Sequence, residues 1–212
     1  MSSSHADNLV QQINDNPFAA QQWEFQGKFT VCVRPLELVD VHRAVFVESS
    51  RFAQATGEQT FRRFITEPET VVVGVFVADN LVGLAAAHIV QADASGCTEA
   101  YLDNISILEE WSGKGLGTLL FTYLLNVCQG QMCQRATLEV RVSNRHAIRI
   151  YKKLGFVSHG LRPKYYANPV EDAEIYWLEN MDSTHFSELI VACAMAGLRR
   201  FTSMLGVEDG GT

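Results

Sequence analysis

The stretch Ser112-Gly113-Lys114-Gly115-Leu116-Gly117-Thr118 constrains this chain more than any other part of it. It follows an apolar β-favouring run, Ile105-Ser106-Ile107, and leads into Leu119, Leu120, Tyr123, Leu124 and Val127, which share a helical stripe with Leu116. A strand that turns through alternate glycines into a helix aims backbone N–H groups and the positive end of the helix dipole at one spot. Glycines at that spot let a phosphate approach the backbone without side-chain obstruction. The turn therefore predicts an anion cradle, although Gly-x-Gly-x-Gly alone also marks ordinary turns. No Gly-Lys-Ser/Thr closes it as a Walker sequence would. It also lies late, behind strands that look antiparallel, which argues against a Rossmann unit.

Around this turn the pattern alternates between strand and helix. Phe29 to Arg34 favours β structure and stops at Pro35. Asp40 is placed to cap a helix reaching about Arg51, with Val41, Ala44, Val45 and Glu48 at helical spacing. A second short helix, Gln59 to Thr66, ends before Pro68. Val71 to Val77 and Leu81 to Val90 read as a hairpin, the Asp79-Asn80 pair tolerating the positive dihedrals of its turn. Ala100 to Leu108 is a strand, Gly115 to Val127 a helix and Ala136 to Val142 a strand. Asn144 to Leu154 is a helix stopped by Gly155, and Phe156 to Tyr166 and Glu174 to Glu179 are the last strands.

This order predicts an α/β (mixed α+β) fold with a central mixed sheet and helices on both faces. A final helix, Thr184 to Leu205, carries Phe186, Leu189, Ile190, Cys193, Gly197, Phe201 and Met204 on one face, with Glu188, Arg199 and Thr202 off it. Such a stripe implies docking on the domain's own body or, as the sharper reading, a homodimer contact through this helix. Residues 1–28, rich in Ser, Asn and Gln, read as a flexible extension whose end Trp23 and Phe25 pin to the body.

The 212 residues, 47% hydrophobic and 19% charged, suffice for one soluble domain with its own core. A net charge of -7 argues against non-specific nucleic-acid binding and suits a cationic amine or a basic polypeptide as partner. Cys32, Cys97, Cys128, Cys133 and Cys193 form no C-x-x-C pair, and neither they nor His88, His146 and His159 show metal spacing, so no metal is expected. Reduced thiols, a polar Met1 to Asn16 and an apolar run, Leu189 to Leu198, too short to cross a bilayer predict a cytoplasmic protein without membrane attachment.

Leu138-Glu139-Val140-Arg141-Val142-Ser143-Asn144, then Ala147-Ile148 and Tyr151-Lys152-Lys153-Leu154-Gly155-Phe156, resembles the GNAT superfamily of acetyltransferases. Arg162-Pro163-Lys164-Tyr165-Tyr166 with Glu171-Asp172-Ala173 is similar to the N-terminal acetyltransferase branch, the bacterial ribosomal-protein-alanine (RimI-like) group in particular. The likeness runs from about Phe29 to Asn180 and divides the chain into the extension 1–28, a GNAT domain 29–181 and a tail 182–212. It implies a mostly antiparallel sheet with an extra C-terminal helix, acetyl-CoA as cosubstrate, and direct transfer of acetyl to the α-amino group of a protein or peptide N-terminus. One departure stands out. The family begins its Q/R-x-x-G-x-G/A signature with Gln or Arg, and Ser112 sits there instead. The backbone amides survive this change, a long polar side chain is lost, and Lys114 offsets it in part by charge.

By the same resemblance, Ser112, Gly113, Lys114, Gly115, Leu116, Gly117 and Thr118 hold the pyrophosphate. Ile105, Ser106 and Ile107 lend backbone groups to the pantetheine arm, where the fourth strand bulges and parts from the fifth. Asn144 donates to that arm; read by itself it is a helix cap, and the two roles compete. Glu139 lies mid-strand between Leu138 and Val140, facing either solvent or a cleft. The resemblance makes it the proton acceptor, and makes Tyr151, otherwise a core tyrosine, the acid for the departing thiolate. Tyr165 and Tyr166 are neighbours in a strand and are expected on opposite faces, one structural and at least one walling the substrate cleft. Two other readings stand beside this one. A small-molecule amine acetyltransferase is disfavoured by the Tyr-Tyr segment; for an acyl-CoA-binding sensor with little turnover, Ser112 and the added helix speak in favour and the retained Glu139 and Tyr151 against.

Overall fold

The computed structural model describes residues 19–25, 29–50, 56–91 and 96–206. Eight strands form one sheet in the order β1-β2-β3-β4-β5-β6-β8-β7. They are β1 Gln21–Phe25, β2 Phe29–Pro35, β3 Thr70–Val77, β4 Asn80–Gln91, β5 Thr98–Ile107, β6 Cys133–Arg141, β7 Val157–Ala167 and β8 Val170–Leu178. Among the described residues five α-helices accompany them: α1 Val41–Ser49, α2 Glu58–Thr66, α3 Leu116–Gly130, α4 Arg145–Lys153 and α5 Thr184–Met204. Only β5 and β6 run parallel; every other neighbouring pair is antiparallel. The mixed, mostly antiparallel sheet is the one expected. No helix of the described residues is long and apolar enough to cross a membrane.

Four local expectations are corrected. The expected extension is not wholly unstructured: Gln21–Phe25 pairs with β2 from Gln21↔Val33 to Phe25↔Phe29, while 1–18 and 26–28 lie outside the described residues. In the β3–β4 hairpin the positive φ values fall on Ala78 (47°) and Asp79 (66°), one residue earlier than read, because Val77 pairs with Asn80 and leaves these two at the centre of the turn. Asp40 makes no side-chain cap to α1. Its carboxylate, 1% exposed, accepts from Arg34 at 2.7 and 3.0 Å and from the Glu37 N–H at 2.9 Å, tying β2 to the start of α1. The predicted end of that helix, Arg51, lies outside the described residues.

The fourth correction concerns α3 and α5. Beyond the expected stripe, Phe121, Leu125 and Cys128 are also buried, so α3 is apolar on nearly all sides and must be covered on both. The sheet covers one side and α5 the other. On α5 the buried face is Phe186, Ile190, Val191, Ala194, Met195, Gly197, Leu198, Phe201 and Thr202. Met204 is exposed, and Thr202 turns inward because its hydroxyl is satisfied by the Arg199 carbonyl at 3.0 Å. The face that suggested a dimer contact is thus spent on the chain's own body.

Two irregularities open the sheet. Between β4 and β5, Ala86 faces Asn104 while Ala87 faces Leu102, so Asp103 is an extra residue that bends β5. The parallel β5–β6 ladder then ends at Tyr101↔Thr137. Beyond it β6 stays paired with β8 as far as Arg141↔Ala173, and β5 departs with β4. A wedge opens between the two strands, as the resemblance implied.

Candidate active site

A cavity of about 700 Å³ lies over the wedge, walled by the end of β5, the cradle, α3, α4 and α5. Of the residues singled out in the sequence, Ile105, Ile107, Ser112, Gly113, Gly115, Gly117, Thr118, Asn144 and Tyr151 line it. Ser106, Lys114, Leu116, Glu139, Tyr165 and Tyr166 do not. Alternation on β5 sends Ile105 and Ile107 toward the cavity and Asn104 and Ser106 away from it. The Ser106 hydroxyl bonds Asn104 at 3.2 Å, and Asn104 donates to Glu48 of α1 at 2.8 Å. Leu116 is wholly buried in the core.

The cradle has the geometry the glycines implied. Gly113 and Gly115 have φ of 71° and 95°, where an L side chain is strained. The carbonyl of Gly115 takes the N–H groups of Thr118 and Leu119, and the N–H groups of Leu116 and Gly117 have no backbone partner among the described residues. These are the donors a helix start offers to an anion. The charge of the wall agrees. The chain is acidic overall, yet the lining holds Arg149, Lys153 and Arg200 and no Asp or Glu. Low-dielectric walls carrying one sign of charge favour an anionic ligand.

Asn144 caps α4, its side-chain oxygen accepting the Ala147 N–H at 3.2 Å, which leaves its amide nitrogen free of the cap as a donor. Tyr151 is 6% exposed and packs against Phe121, with ring centroids 5.0 Å apart, and against Phe156. Burial, with a smaller push from Tyr166, raises its hydroxyl far above the ordinary tyrosine range and keeps it protonated.

Glu139 belongs to a second cluster. Strand alternation puts it on the face of β6 opposite Leu138 and Val140, but it does not face solvent: its side chain is 4% exposed. The Tyr101 hydroxyl donates to one carboxylate oxygen at 2.5 Å, and the Arg162 guanidinium lies 3.2 Å from the other. The Tyr166 hydroxyl donates to the Glu139 backbone carbonyl at 3.3 Å. Burial, then the Glu139 carboxylate and the Tyr165 phenol, hold Tyr101 far above its usual range.

Tyr165 and Tyr166 do not point to opposite faces. Lys164 has φ 54°, and the β7–β8 register slips between Arg162↔Ala173 and Tyr166↔Glu171. The bulge breaks alternation and sets the two rings edge to face, 5.1 Å apart, beside the Glu139 cluster. Arg141 stacks on Tyr166 at 4.0 Å and bonds Glu171 at 3.1 Å, clamping the hairpin to β6.

Tyr101, Arg162 as a partner of Glu139, and Arg200 escaped the sequence reading. Tyr101 lies 38 residues before Glu139, and no local spacing joins them. Arg200 had a signal: Cys193, Ala196, Gly197 and Arg200 are spaced as one helix face, and small residues there mark a close approach.

Residues 37–156 match the family model described as Acetyltransferase (GNAT) family. A Bacillus subtilis protein named as a putative ribosomal protein bS18-alanine N-acetyltransferase is 32% identical over 152 residues, covering 71% of this chain and 97% of that one. The N-alpha-acetyltransferase RimI of Mycobacterium tuberculosis is 28% identical over 145 residues, 68% of this chain and 89% of its own. The crystal structure of the ribosomal-protein-S18-alanine N-acetyltransferase from Escherichia coli superposes with a TM-score of 0.62 at 27% identity, over 71% of this chain and 94% of that one. With cradle, wedge and cavity in place, the chain belongs to the GNAT family of acetyl-CoA-dependent acetyltransferases.

Proposed function

We propose that this acetyltransferase acylates the α-amino group of a protein or peptide N-terminus, with Glu139 as proton acceptor, Tyr151 as proton donor and the Tyr165-Tyr166 bulge as a wall of the acceptor cleft. The observation that carries this reading is the pairing of the two clusters across the wedge. Tyr151 lines a cavity free of Asp and Glu, a buried carboxylate stands beside the hairpin tyrosines, and Tyr166, bonded to the Glu139 backbone and close enough to Tyr151 to influence its hydroxyl, links the two.

The residues present fit acetyl-CoA. Gly113 and Gly115 shape the turn, the free N–H groups of Leu116 and Gly117 suit a pyrophosphate, and Arg149 and Lys153 add positive charge at the wall. When bound, acetyl-CoA supplies an activated acetyl thioester. The backbone of Ile105 to Ile107, freed from β6, is available to the arm that carries it.

The acceptor's ammonium gives up one proton to become nucleophilic, and nitrogen loses a second as the amide forms, which balances the one delivered to the departing sulfur. A peptide α-amino group has a pKa of roughly 8, so a modest base suffices to free it. Glu139 Oε1 and Oε2 are the buried carboxylate oxygens placed to take that proton, directly or through water, once the acceptor's ammonium displaces the half-exposed Arg162. Tyr151 Oη holds the proton that the sulfur needs; burial keeps it on the phenol at neutral pH, and the same burial makes a thiolate expelled beside it a stronger base than in water, which brings the two groups closer in proton affinity.

The relatives named for alanine N-acetylation make an alanine-starting peptide from ribosomal protein bS18 the first acceptor to try. A panel of N-terminal peptides, free amino acids and polyamines, assayed with labelled acetyl-CoA, tests the proposal. Peptides should be acetylated at the α-amine with kcat/KM at least tenfold above the small amines. Equal or better turnover of the small amines overturns it.

A further inference from the structure

The matched family region ends at residue 156, yet a wall of the cavity comes from far beyond it. Cys193, Ala196, Gly197 and Arg200 of α5 all line the cavity. The approach is as close as backbones allow. A Cβ on Gly197 would stand 2.8 Å from the Gly115 carbonyl oxygen and 3.3 Å from the Leu119 nitrogen, and one on Gly115 would collide with the Gly197 carbonyl. Two glycines, one on each element, therefore let α5 lie directly on the cradle. At that contact Arg200 donates its Nε–H to the Gly113 carbonyl at 2.7 Å. Its other N–H groups have no partner among the described residues, and the side chain is exposed to the cavity.

We propose that α5 is an integral wall of the acetyl-CoA site and that Arg200 is a phosphate-binding residue, fixed by the Gly113 carbonyl so that its free N–H groups meet the pyrophosphate held by the cradle. The proposal rests on the acetyl-CoA reading of the cavity. Three features converge on it. The cradle opens with Ser112, whose neutral hydroxyl adds no charged donor. Lys114, the nearest cation in sequence, does not line the cavity, whereas Arg200 does. A planar guanidinium with one N–H anchored loses little freedom when the others bind phosphate oxygens in a fork. Docking of α5 and binding of the cofactor are then linked, since each organises Gly113.

The test is calorimetry of acetyl-CoA with the full-length protein and three variants, alongside the melting temperature of each without ligand. Arg200→Gln keeps a donor for the Gly113 carbonyl and removes the charge; its affinity should fall roughly 10- to 100-fold, the worth of a charge-assisted bond. Arg200→Lys keeps the charge and should recover part of the loss. Arg199→Ala, on the neighbouring exposed position, should bind like the parent. Melting temperatures without ligand should stay within a few degrees of the parent throughout. Parental affinity in Arg200→Gln, or recovery by Gln and not by Lys, overturns the phosphate contact while leaving the transferase reading in place. A parent chain that fails to bind acetyl-CoA at all overturns both.

Discussion

Glu139 and Tyr151 lie twelve residues apart in sequence and hold opposite proton roles, so each is open to a separate test. Glu139→Gln keeps shape and removes the base; kcat should fall roughly 10- to 1,000-fold near neutral pH. The defect should shrink above about pH 8, where the α-amine is already neutral. Tyr151→Phe keeps the ring packed against Phe121 and removes the acid, and should cost a similar factor. Because burial raises the Tyr151 hydroxyl far above its ordinary value, the parent's phenol stays protonated across the alkaline range. The Tyr151 defect should therefore not vary with pH up to about 10, the ordinary tyrosine value. A steady-state pH–rate profile of both variants on one peptide checks this, and superimposable profiles would remove the division of labour. The burial of Tyr151 was legible as that of a core tyrosine, whereas that of Glu139 was not. A carboxylate between Leu138 and Val140 reads as solvent-facing until Tyr101 and Arg162 arrive from distant segments.

Elements make their own demands on single positions. The Cβ direction at Gly115 points into α5, toward the Gly197 carbonyl and Arg200. Any side chain there pushes the helix off the cradle as well as straining a left-handed residue. Gly115→Ala should lower the melting temperature by roughly 5–10 °C, from about 2–4 kcal/mol of strain and displaced packing. Gly113→Ala meets nothing within 4 Å and bears only the dihedral strain, about 1 kcal/mol, so its melting temperature should drop by a few degrees at most. Thermal scans of the pair check the order, and equal losses would refute the contact. At the β2–α1 junction, burial alone would raise the Asp40 carboxyl, but the Arg34 and Glu37 bonds outweigh it and hold it below the usual range. A depressed folded-state pKa adds stability above the unfolded value of about 3.9 and loses it as pH falls through the lower folded one. Urea midpoints of the parent should decline across that acidic window from this source, while Asp40→Asn, already weakened by about 2–3 kcal/mol, should lack this component.

Across the whole molecule, the segments outside the family match pack on each other as well as on the core. Trp23 of β1 sits against Val191 and Met195 of α5, and Phe201 meets Phe25, Phe29 and Trp111 with ring centroids 5.9–6.4 Å apart. Gln129 of α3 fastens the start of α5 through the Met181 carbonyl at 2.7 Å and the Ser187 hydroxyl at 2.9 Å. Deleting residues 183–212 should expose this apolar face, lower the melting temperature by 10 °C or more and abolish measurable acetyl-CoA binding, because the cavity loses a wall. Unchanged stability and affinity would mean α5 is an appendage. The sequence by itself determined the α-helices, every strand but β1, and the cradle, since helical stripes, β-favouring runs and alternate glycines are local signals. It also determined where the sheet would open, through the resemblance of residues 105–173. Only the tertiary structure decided that β1 joins the sheet, that the hairpin bulge turns both tyrosines to Glu139, and that α5 closes the cavity with Arg200. The bulge and α5 depend on pairing or packing between segments tens of residues apart, and β1, though its pairing partner β2 is next in sequence, is covered by α5 through Trp23 and Phe25; no periodicity within one segment records which distant surface it will cover.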